Sequence, residues 1–138
     1  MHHWSSTSFW EFNVMSALED NKYLYQILVP CAWNSGRPIR RKHHQEWDKR
    51  VRRITGGLTV TKPVVGQWID ENDGTLYVDR TIPVLIYCTK PQIDEIAKMT
   101  IEHYEQLAVM CFVVSDECMI VEATVNQKDK FSDVHSGS

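Results

Sequence analysis

The first strong pattern along the chain is an alternation that predicts a β-strand. From residue 22 to residue 30 the sequence reads KYLYQILVP, which is rich in β-branched and aromatic residues and nearly apolar on both faces. A strand of this kind belongs at the centre of a sheet, because both of its faces must be covered. The polar turn Asn34-Ser35-Gly36 separates it from the next element.

The following segment predicts an amphipathic helix that begins near Pro38, a residue favoured in the first helical turn. Apolar and aromatic residues recur at helical spacings of three and four, and the glycines at positions 56 and 57 end the pattern. Basic residues fill many of the positions between them, so we expect the charges on the outer face of the helix. The recurring residues are Ile39, His43, Trp47, Val51 and Ile54.

Two further strands form a predicted hairpin. Residues 58–70 alternate but are interrupted by Pro63, Asp73-Gly74 is a hairpin turn signal, and residues 75–88 form the return strand. Pro83 indicates a bulge or an edge within the return strand.

Thr89 predicts the start of a second helix, since Gln92 completes a Thr-x-x-Gln capping box and Pro91 is tolerated in the first turn. An apolar stripe along this helix leads almost directly into a long final strand, residues 108–121. The stripe consists of Ile93, Ala97, Thr100, Tyr104 and Leu107.

The order β-α-β-β-α-β predicts an α+β fold, the ferredoxin-like sandwich in which a four-stranded antiparallel sheet carries two helices on one face. The other face is open, and domains of this kind often bury it by oligomerising. We divide the chain into an N-terminal extension (residues 1–20), the sandwich domain (21–123) and a polar tail (124–138) that we expect to be disordered. The expected lining of the open face includes Thr59, Thr61, Leu85 and Tyr87.

Composition and charge narrow the class of protein. The chain has 138 residues, 43% hydrophobic and 24% charged, which fits one soluble globular domain. Residues 37–53 hold eight of the fifteen basic residues and carry about +6, although the whole chain carries −3. Such a helix can neutralise phosphates, but the strands lack the glycine and aromatic pattern with which RNA-binding sandwiches stack bases. We therefore expect a solvated basic face and no nucleic-acid partner.

The four cysteines form no C-x-x-C pair and lie in or beside apolar runs, so we expect buried reduced thiols and a cytoplasmic location. The sequence has no leader-like segment and no window of about 18 apolar residues, so we expect no membrane partner. The motifs of P-loop, Rossmann, zincin and α/β-hydrolase enzymes are absent. The histidine spacing is not that of a metal site, and we expect neither a metal nor a cofactor.

The segment His103-Tyr104-Glu105-Gln106, at the end of the second helix, is the strongest candidate for chemistry. If Tyr104 belongs to the buried stripe, Glu105 lies about 100° around the helix and can face a cleft at the helix end. The negative end of the helix dipole does not stabilise a carboxylate there. The presence of a carboxylate at this position therefore calls for another explanation, such as a function, although exposed glutamates near helix ends are common.

Three stretches together carry a resemblance to a known family: Leu24–Pro30; Gly57-Leu58-Thr59-Val60 with Gly66-Gln67-Trp68; and Tyr104-Glu105-Gln106 followed by Ala108-Val109-Met110. Over roughly residues 22–122 the chain resembles the small phage enzymes that degrade S-adenosylmethionine, above all the lyases of environmental phages. The resemblance implies a homotrimer of PII-like sandwiches with active sites between subunits. It also implies cleavage of S-adenosylmethionine to 5′-methylthioadenosine and L-homoserine lactone, which in phages removes the methyl donor that host restriction-modification systems use.

In the reaction that the resemblance implies, the substrate's own carboxylate attacks its γ-carbon and displaces a neutral thioether, so the enzyme supplies no nucleophile. The resemblance makes Glu105 the carboxylate that pairs with the substrate ammonium, flanked by Tyr104 and Gln106 as substrate-binding residues. Asp79 is a second catalytic candidate, which would add negative potential toward the cationic substrate. Trp68 and Tyr77 are candidates to place a ring on the adenine or the sulfonium.

Three alternatives stay open. Hydrolysis to homoserine differs only in whether water or the substrate carboxylate attacks. A non-catalytic PII-like trimer would bind an adenine nucleotide and signal through a loop, although the short hairpin from Asp70 to Thr75 argues against a long signalling loop. An RNA-binding ferredoxin-like domain would use the basic helix, although the acidic remainder of the chain suits a cationic sulfonium better than a polyanion.

Overall fold

Five strands and three helices make up the part of the chain that the computed structural model describes, residues 21–136. All strand pairs are antiparallel, and the sheet runs in the order β2-β4-β1-β5, with β3 also paired to β4. The predicted ferredoxin-like α+β fold is confirmed. In chain order the elements are β1 (Lys22–Pro30), α1 (Arg41–Thr55), β2 (Thr59–Val60), β3 (Val64–Ile69), β4 (Leu76–Thr89), α2 (Lys90–His103), β5 (Cys111–Ser115) and α3 (Val125–Ser136).

The core lies between the two long helices and one face of β1 and β4. Alternate residues of both strands point inward. β1 pairs with β4 on one side and β5 on the other, which confirms that it is a central strand. Trp47 of α1 donates from its Nε1 to Thr100 Oγ1 of α2 at 2.9 Å, so this buried polar pair is satisfied. The buried strand residues are Tyr25, Ile27, Val29, Val84, Ile86 and Cys88, and those of the helices are Trp47, Val51, Ile93, Ile96, Met99 and Thr100.

Helix α1 begins at Arg41, three residues later than Pro38. The predicted start was wrong because Pro38 forms a β-bridge with Ala32, which holds the chain extended before the helix. The helix ends where expected, at Gly56, which adopts φ +90 and donates its N–H to Arg52 O at 2.8 Å. All eight basic residues of the 37–53 segment are exposed, as the amphipathic pattern predicts.

Helix α2 begins with the predicted capping box. Gln92 N donates to Thr89 Oγ1 at 3.3 Å, and Thr89 N donates to Gln92 Oε1 at 3.0 Å. The prediction of the apolar stripe was wrong at its C-terminal end. The helix stops at His103, so Leu107 lies beyond it and is fully exposed.

The first half of β4 and all of β3 form a two-stranded ribbon, residues 64–80. Here β4 pairs with β3 alone, whereas its second half pairs with β1. The strand predicted over residues 58–70 is split into β2 and β3 at residues 61–63, which contain Pro63. Pro83 lies opposite this break, where its carbonyl accepts from Thr61 N at 3.1 Å, so its missing N–H removes no bond between β4 and β3.

The C-terminal part of the chain differs most from expectation. The predicted final strand, residues 108–121, is reduced to Cys111–Ser115, because the chain turns out of the sheet after Ser115: Glu117 N donates to Ser115 Oγ at 3.1 Å, and Ser115 Oγ donates to Glu117 O at 2.8 Å. The tail expected to be disordered contains α3, which a second Thr-x-x-Gln box starts: Gln127 N donates to Thr124 Oγ1 and Thr124 N to Gln127 Oε1. The N-terminal extension, residues 1–20, lies outside the described residues. None of the helices described is both long and apolar enough to cross a bilayer.

Candidate functional site

A short loop after β1, residues 31–38, forms one wall of the candidate site. Trp33 N donates to Arg37 O at 2.9 Å, Gly36 N donates to Trp33 O at 2.8 Å, and the ends of the loop pair as a β-bridge. Gly36 has φ +89, a left-handed conformation that glycine adopts without strain. The 31–38 loop therefore presents its exposed polar side chains from a well-defined backbone.

The turn after α2 forms the opposite wall. Glu105 adopts φ +53 and is the only non-glycine residue with a positive φ in the described chain. Gln106 N donates to Ile101 O at 3.0 Å and Glu105 N to Glu102 O at 3.4 Å, the Schellman pattern of a helix end. Glycine usually occupies the left-handed position, because a Cβ there costs about 1–2 kcal/mol. A glutamate held in this conformation is local strain of the kind that clusters at functional sites.

Asn34 joins the two walls. Its Nδ2 donates to the backbone O of Glu105 at 2.9 Å, and its Oδ1 accepts from Gln106 Nε2 at 3.3 Å. Gln106 Nε2 also donates to Tyr104 O at 3.0 Å. Gln106, predicted to bind substrate, thus uses its side-chain amide to hold the turn against the loop.

A cavity of about 430 Å³ opens between the two walls and is lined by Trp33, Asn34, Ser35, Arg37 and Glu105. Glu105 is the one predicted site residue that lines it. The four loop residues were not predicted to belong to a site, although their polar turn signal precedes a helix and so marks a loop beside a helix end. These residues line a cavity only because the turn after α2, which is distant in sequence, forms the opposite wall.

Beneath the cavity, aromatic and histidine side chains pack α1 against the end of α2. Tyr104 is fully buried, and its hydroxyl lies 2.7 Å from His44 Nδ1. Burial raises the pKa of Tyr104, so its hydroxyl stays protonated. Tyr104, also predicted to bind substrate, therefore supports the turn from below and does not line the cavity.

Two histidines form reciprocal hydrogen bonds between α1 and α2 beside Tyr104. His43 Nε2 donates to His103 O at 2.6 Å, His103 Nε2 donates to His43 O at 2.8 Å, and the rings stack with centroids 3.9 Å apart. Burial lowers the pKa of His44 and of His103, and the neighbouring imidazoles lower both further. Arg50 Nη1 lies 3.4 Å from His103 Nδ1. Burial therefore favours the neutral forms of His44 and His103.

The other three predicted site residues meet on the ribbon. The rings of Trp68 and Tyr77 stack with centroids 4.4 Å apart and planes 14° apart. Trp68 Nε1 donates to Asp79 Oδ2 at 3.1 Å, and all three side chains are exposed. No hydrogen bond or ring contact within residues 21–136 connects this ribbon cluster with Glu105.

A second cavity, of about 370 Å³, lies at the opposite end of the domain, where β1 begins. Lys22 Nζ stands 5.8 Å from the centre of the Tyr87 ring at its edge. Thr59, Leu85 and Tyr87 were predicted to line the open face of the sheet, and all three line this cavity. The rest of its lining comes from Leu24, residues 55–58 and Ile120.

Within the described residues, no group of three or more His, Cys, Asp or Glu side chains is arranged to hold a metal ion. All four cysteines are free thiols. Cys88 is fully buried, and burial raises its pKa to about 12. The expectation of four buried cysteines was correct for Cys88 alone, because the other three are partly exposed.

No protein-family model and no curated protein sequence matches the chain. Solved structures match it by fold. A phage S-adenosylmethionine lyase in complex with S-methyl-5′-thioadenosine superposes with a TM-score of 0.53 at 12% identity, over 72% of this chain and 84% of that chain. CutA1 from the psychrotrophic bacterium Shewanella sp. SIB1 gives a TM-score of 0.52 at 9% identity, over 83% of this chain and 95% of its own. CutA1 from Oryza sativa gives 0.51 at 7% identity, over 81% and 91%.

At these identities the comparisons establish the fold alone. The lyase and the CutA1 proteins resemble the chain to nearly the same extent, since their TM-scores differ by only 0.01 to 0.02. A choice between their functions therefore depends on individual residues of the site.

Proposed function

We propose that this protein is an S-adenosylmethionine lyase that forms 5′-methylthioadenosine and L-homoserine lactone, with Glu105 as its principal catalytic carboxylate. The observation that carries the proposal is the left-handed Glu105 at the mouth of a cavity, in the Tyr104-Glu105-Gln106 motif by which the sequence resembles the phage enzymes. The fold shared with a phage S-adenosylmethionine lyase supports it.

The reaction depends on positioning more than on reactive groups of the protein. One carboxylate oxygen of the substrate forms a bond to its own γ-carbon while the bond from that carbon to sulfur breaks. The electron pair of the broken bond goes to sulfur, which leaves as a neutral thioether. The carboxylate and the sulfonium lose their charges together, so a site that excludes water assists the reaction. Holding the chain in a near-attack geometry can supply about 7–11 kcal/mol of the barrier.

Glu105 suits this task because its backbone is held on both sides. The Schellman bonds fix the turn to α2, and Asn34 fixes it to the 31–38 loop. The carboxylate is exposed at the cavity and can pair with the substrate ammonium. A carboxylate on a stiff turn loses little conformational freedom when it binds, which is the requirement for orienting the methionyl chain.

We further propose that the site is completed between the subunits of a homotrimer. The ribbon exposes large apolar side chains that need a covering surface, as is typical of an interface. The ribbon cluster, separate from Glu105 within one subunit, would then reach the cavity of a neighbour. There Trp68 and Tyr77 would contact the adenine or the sulfonium, and Asp79 would add negative potential. The exposed apolar residues of the ribbon are Val64, Val65, Trp68, Ile69, Leu76, Tyr77 and Val78.

The biological role that follows is counter-defence by a phage. Cleavage of S-adenosylmethionine in the cytoplasm of an infected bacterium would remove the methyl donor and cofactor of restriction-modification enzymes. The enzyme would need no metal or cofactor for this reaction, because nucleophile and leaving group both belong to the substrate.

The likeness to CutA1 proteins favours a second candidate, a non-catalytic PII-like trimer that binds an adenine nucleotide. The second cavity is the natural place for such a ligand, since Lys22 offers a cation and Tyr87 a ring at its edge. This candidate predicts binding without turnover.

Incubation of the purified protein with S-adenosylmethionine, followed by chromatography, tests both candidates. We expect 5′-methylthioadenosine together with homoserine lactone. If homoserine accompanies it and the lactone never appears, under conditions in which the lactone survives, the enzyme is a hydrolase. If no 5′-methylthioadenosine forms, the enzyme proposal fails, and equilibrium dialysis with ATP then tests the nucleotide-binding trimer.

A further inference from the structure

We propose that the cavity beside Glu105 binds the α-amino acid end of the ligand as a zwitterion, with Arg37 holding the carboxylate and Glu105 the ammonium. This inference rests on the lyase function proposed above, whose substrate carries both charges on its methionyl chain. It assigns Arg37 as the residue that selects ligands with an amino acid end.

The charges in the cavity support this assignment. Arg37 and Glu105 line it from opposite walls. Both are exposed, and the ion pairs among residues 21–136 include neither of them. Opposite charges that share a cavity without pairing leave a guanidinium and a carboxylate available to a ligand. An α-amino acid carries the complementary ammonium and carboxylate on one carbon atom, so both interactions can form at once.

Arg37 differs in place from the other seven basic residues of the 37–53 segment. Those residues lie on α1 or immediately before it, whereas Arg37 belongs to the 31–38 loop and lines the cavity. Its backbone is held at both ends, because its N–H donates to Ser35 Oγ at 3.4 Å and its carbonyl accepts from Trp33 N at 2.9 Å. The guanidinium therefore starts from a stiff backbone, which reduces the entropy lost on binding.

The reaction limits how Arg37 contacts the substrate. One carboxylate oxygen must stay free to attack the γ-carbon, so the guanidinium holds the other oxygen end-on. This contact anchors the carboxylate and leaves the lone pair of the attacking oxygen available. Lysine can replace such a contact in part, because it needs a cation and not the paired N–H geometry of arginine.

Titration calorimetry with two non-reacting ligands tests the proposal. S-adenosylhomocysteine carries the amino acid end but no sulfonium, and 5′-methylthioadenosine lacks the amino acid end. We expect Arg37→Gln to weaken S-adenosylhomocysteine about tenfold or more, since charged hydrogen bonds are the strong ones. The affinity for 5′-methylthioadenosine should change by less than about twofold, because that ligand has no carboxylate. Arg37→Lys should keep part of the lost affinity.

Arg53→Gln is the matched control, because it removes the same charge from an exposed position at the far end of α1. The proposal is overturned if Arg53→Gln weakens S-adenosylhomocysteine as much as Arg37→Gln does, if Arg37→Gln weakens both ligands equally, or if the wild-type protein does not bind S-adenosylhomocysteine. Arg37-dependent binding without turnover of S-adenosylmethionine would reject the lyase and retain the amino acid site. Turnover with a KM unchanged by Arg37→Gln would retain the lyase and reject the amino acid site.

Discussion

The two halves of β4 have similar apolar content but different surroundings. Residues 81–89 pair with β1 and lie under the helices, so Val84 and Ile86 are buried. Residues 76–80 pair only with β3 within the described chain, and Leu76 and Val78 are each 57% exposed. The two halves differ in burial because β1 and the helices cover only residues 81–89, and not because their composition differs. The core half is covered within the described chain, whereas the apolar side chains of the ribbon half are left exposed.

The predicted site residues fall into the same two regions of the domain. The Glu105 turn lies in the region of the packed core, which we call the core half, where Asn34 and the Schellman bonds hold it. The ribbon cluster of Trp68, Tyr77 and Asp79 belongs to the exposed half. The first part is preformed, and under the proposed function the second acts only after assembly. The following predictions separate the two parts.

The largest effect is expected in the core half. Glu105→Gln should lower kcat/KM for S-adenosylmethionine about 100-fold, because it leaves the substrate ammonium without its charged partner. The melting temperature should hardly change, since the carboxylate is exposed. Glu102→Gln, one turn earlier on α2 and outside the cavity, is the control and should keep full activity. A fully active Glu105→Gln enzyme would contradict the assignment.

Charges on the ribbon should dissociate the oligomer. Ile69 of β3 is 63% exposed and Val78 of β4 is 57% exposed, so the double change Ile69→Lys/Val78→Lys places two cations on the apolar surface of the ribbon. Sedimentation should show a trimer for the wild type and a monomer for the variant, with activity lost in parallel. Glu71→Lys, in the turn between the strands, should leave the mass unchanged. A monomeric wild type would remove the basis for a site between subunits.

Mixing two inactive variants tests whether both halves contribute to one site. In an oligomer of Glu105→Gln and Asp79→Asn subunits, a site that takes Glu105 from one subunit and Asp79 from its neighbour is intact in about a quarter of random combinations. Unfolding and refolding the variants together should therefore restore activity that neither has alone. If the mixture stays as inactive as its components, the two residues do not act across an interface.

A glycine at position 105 should separate stability from activity. Glu105→Gly removes the Cβ from a left-handed residue and should raise the free energy of unfolding by about 1 kcal/mol. Activity should fall as in Glu105→Gln. Urea denaturation measures the gain, and Glu105→Ala, which keeps a Cβ, should show none. A less stable glycine variant would mean that the turn is not strained.

The smallest effect is a pH dependence confined to the core half. Burial lowers the pKa of His44 and His103, so the unfolded chain binds more protons than the folded one as the pH falls below about 6.5. The free energy of unfolding should therefore decrease from pH 7.5 to pH 5.5, as urea titrations at both values can show. A His44→Gln/His103→Gln variant should depend less on pH. An unchanged dependence would place the titrating groups elsewhere.

The sequence by itself determined the order of the elements from β1 to β5, with β2 and β3 as one predicted strand, the central position of β1, the amphipathic face of α1 and the start of α2. These features depend on neighbours a few residues apart: Thr89 and Gln92 form their capping box whatever the rest of the chain does. The same local signal was present at Thr124 and Gln127 and would have predicted α3. The sequence also pointed to Glu105 as a candidate, through its motif at the end of a helix, and the structure places this residue at a cavity.

The tertiary structure alone decided the lengths of the strands and the composition of the site. β5 pairs with β1 only as far as Ser115, although β1 itself continues to Lys22, and the apolar content of residues 108–121 does not indicate that limit. The cavity depends on the bond from Asn34 to Glu105, two residues 71 positions apart. No periodicity links such positions, because they meet only when the sheet has brought the end of β1 and the end of α2 to the same edge of the domain.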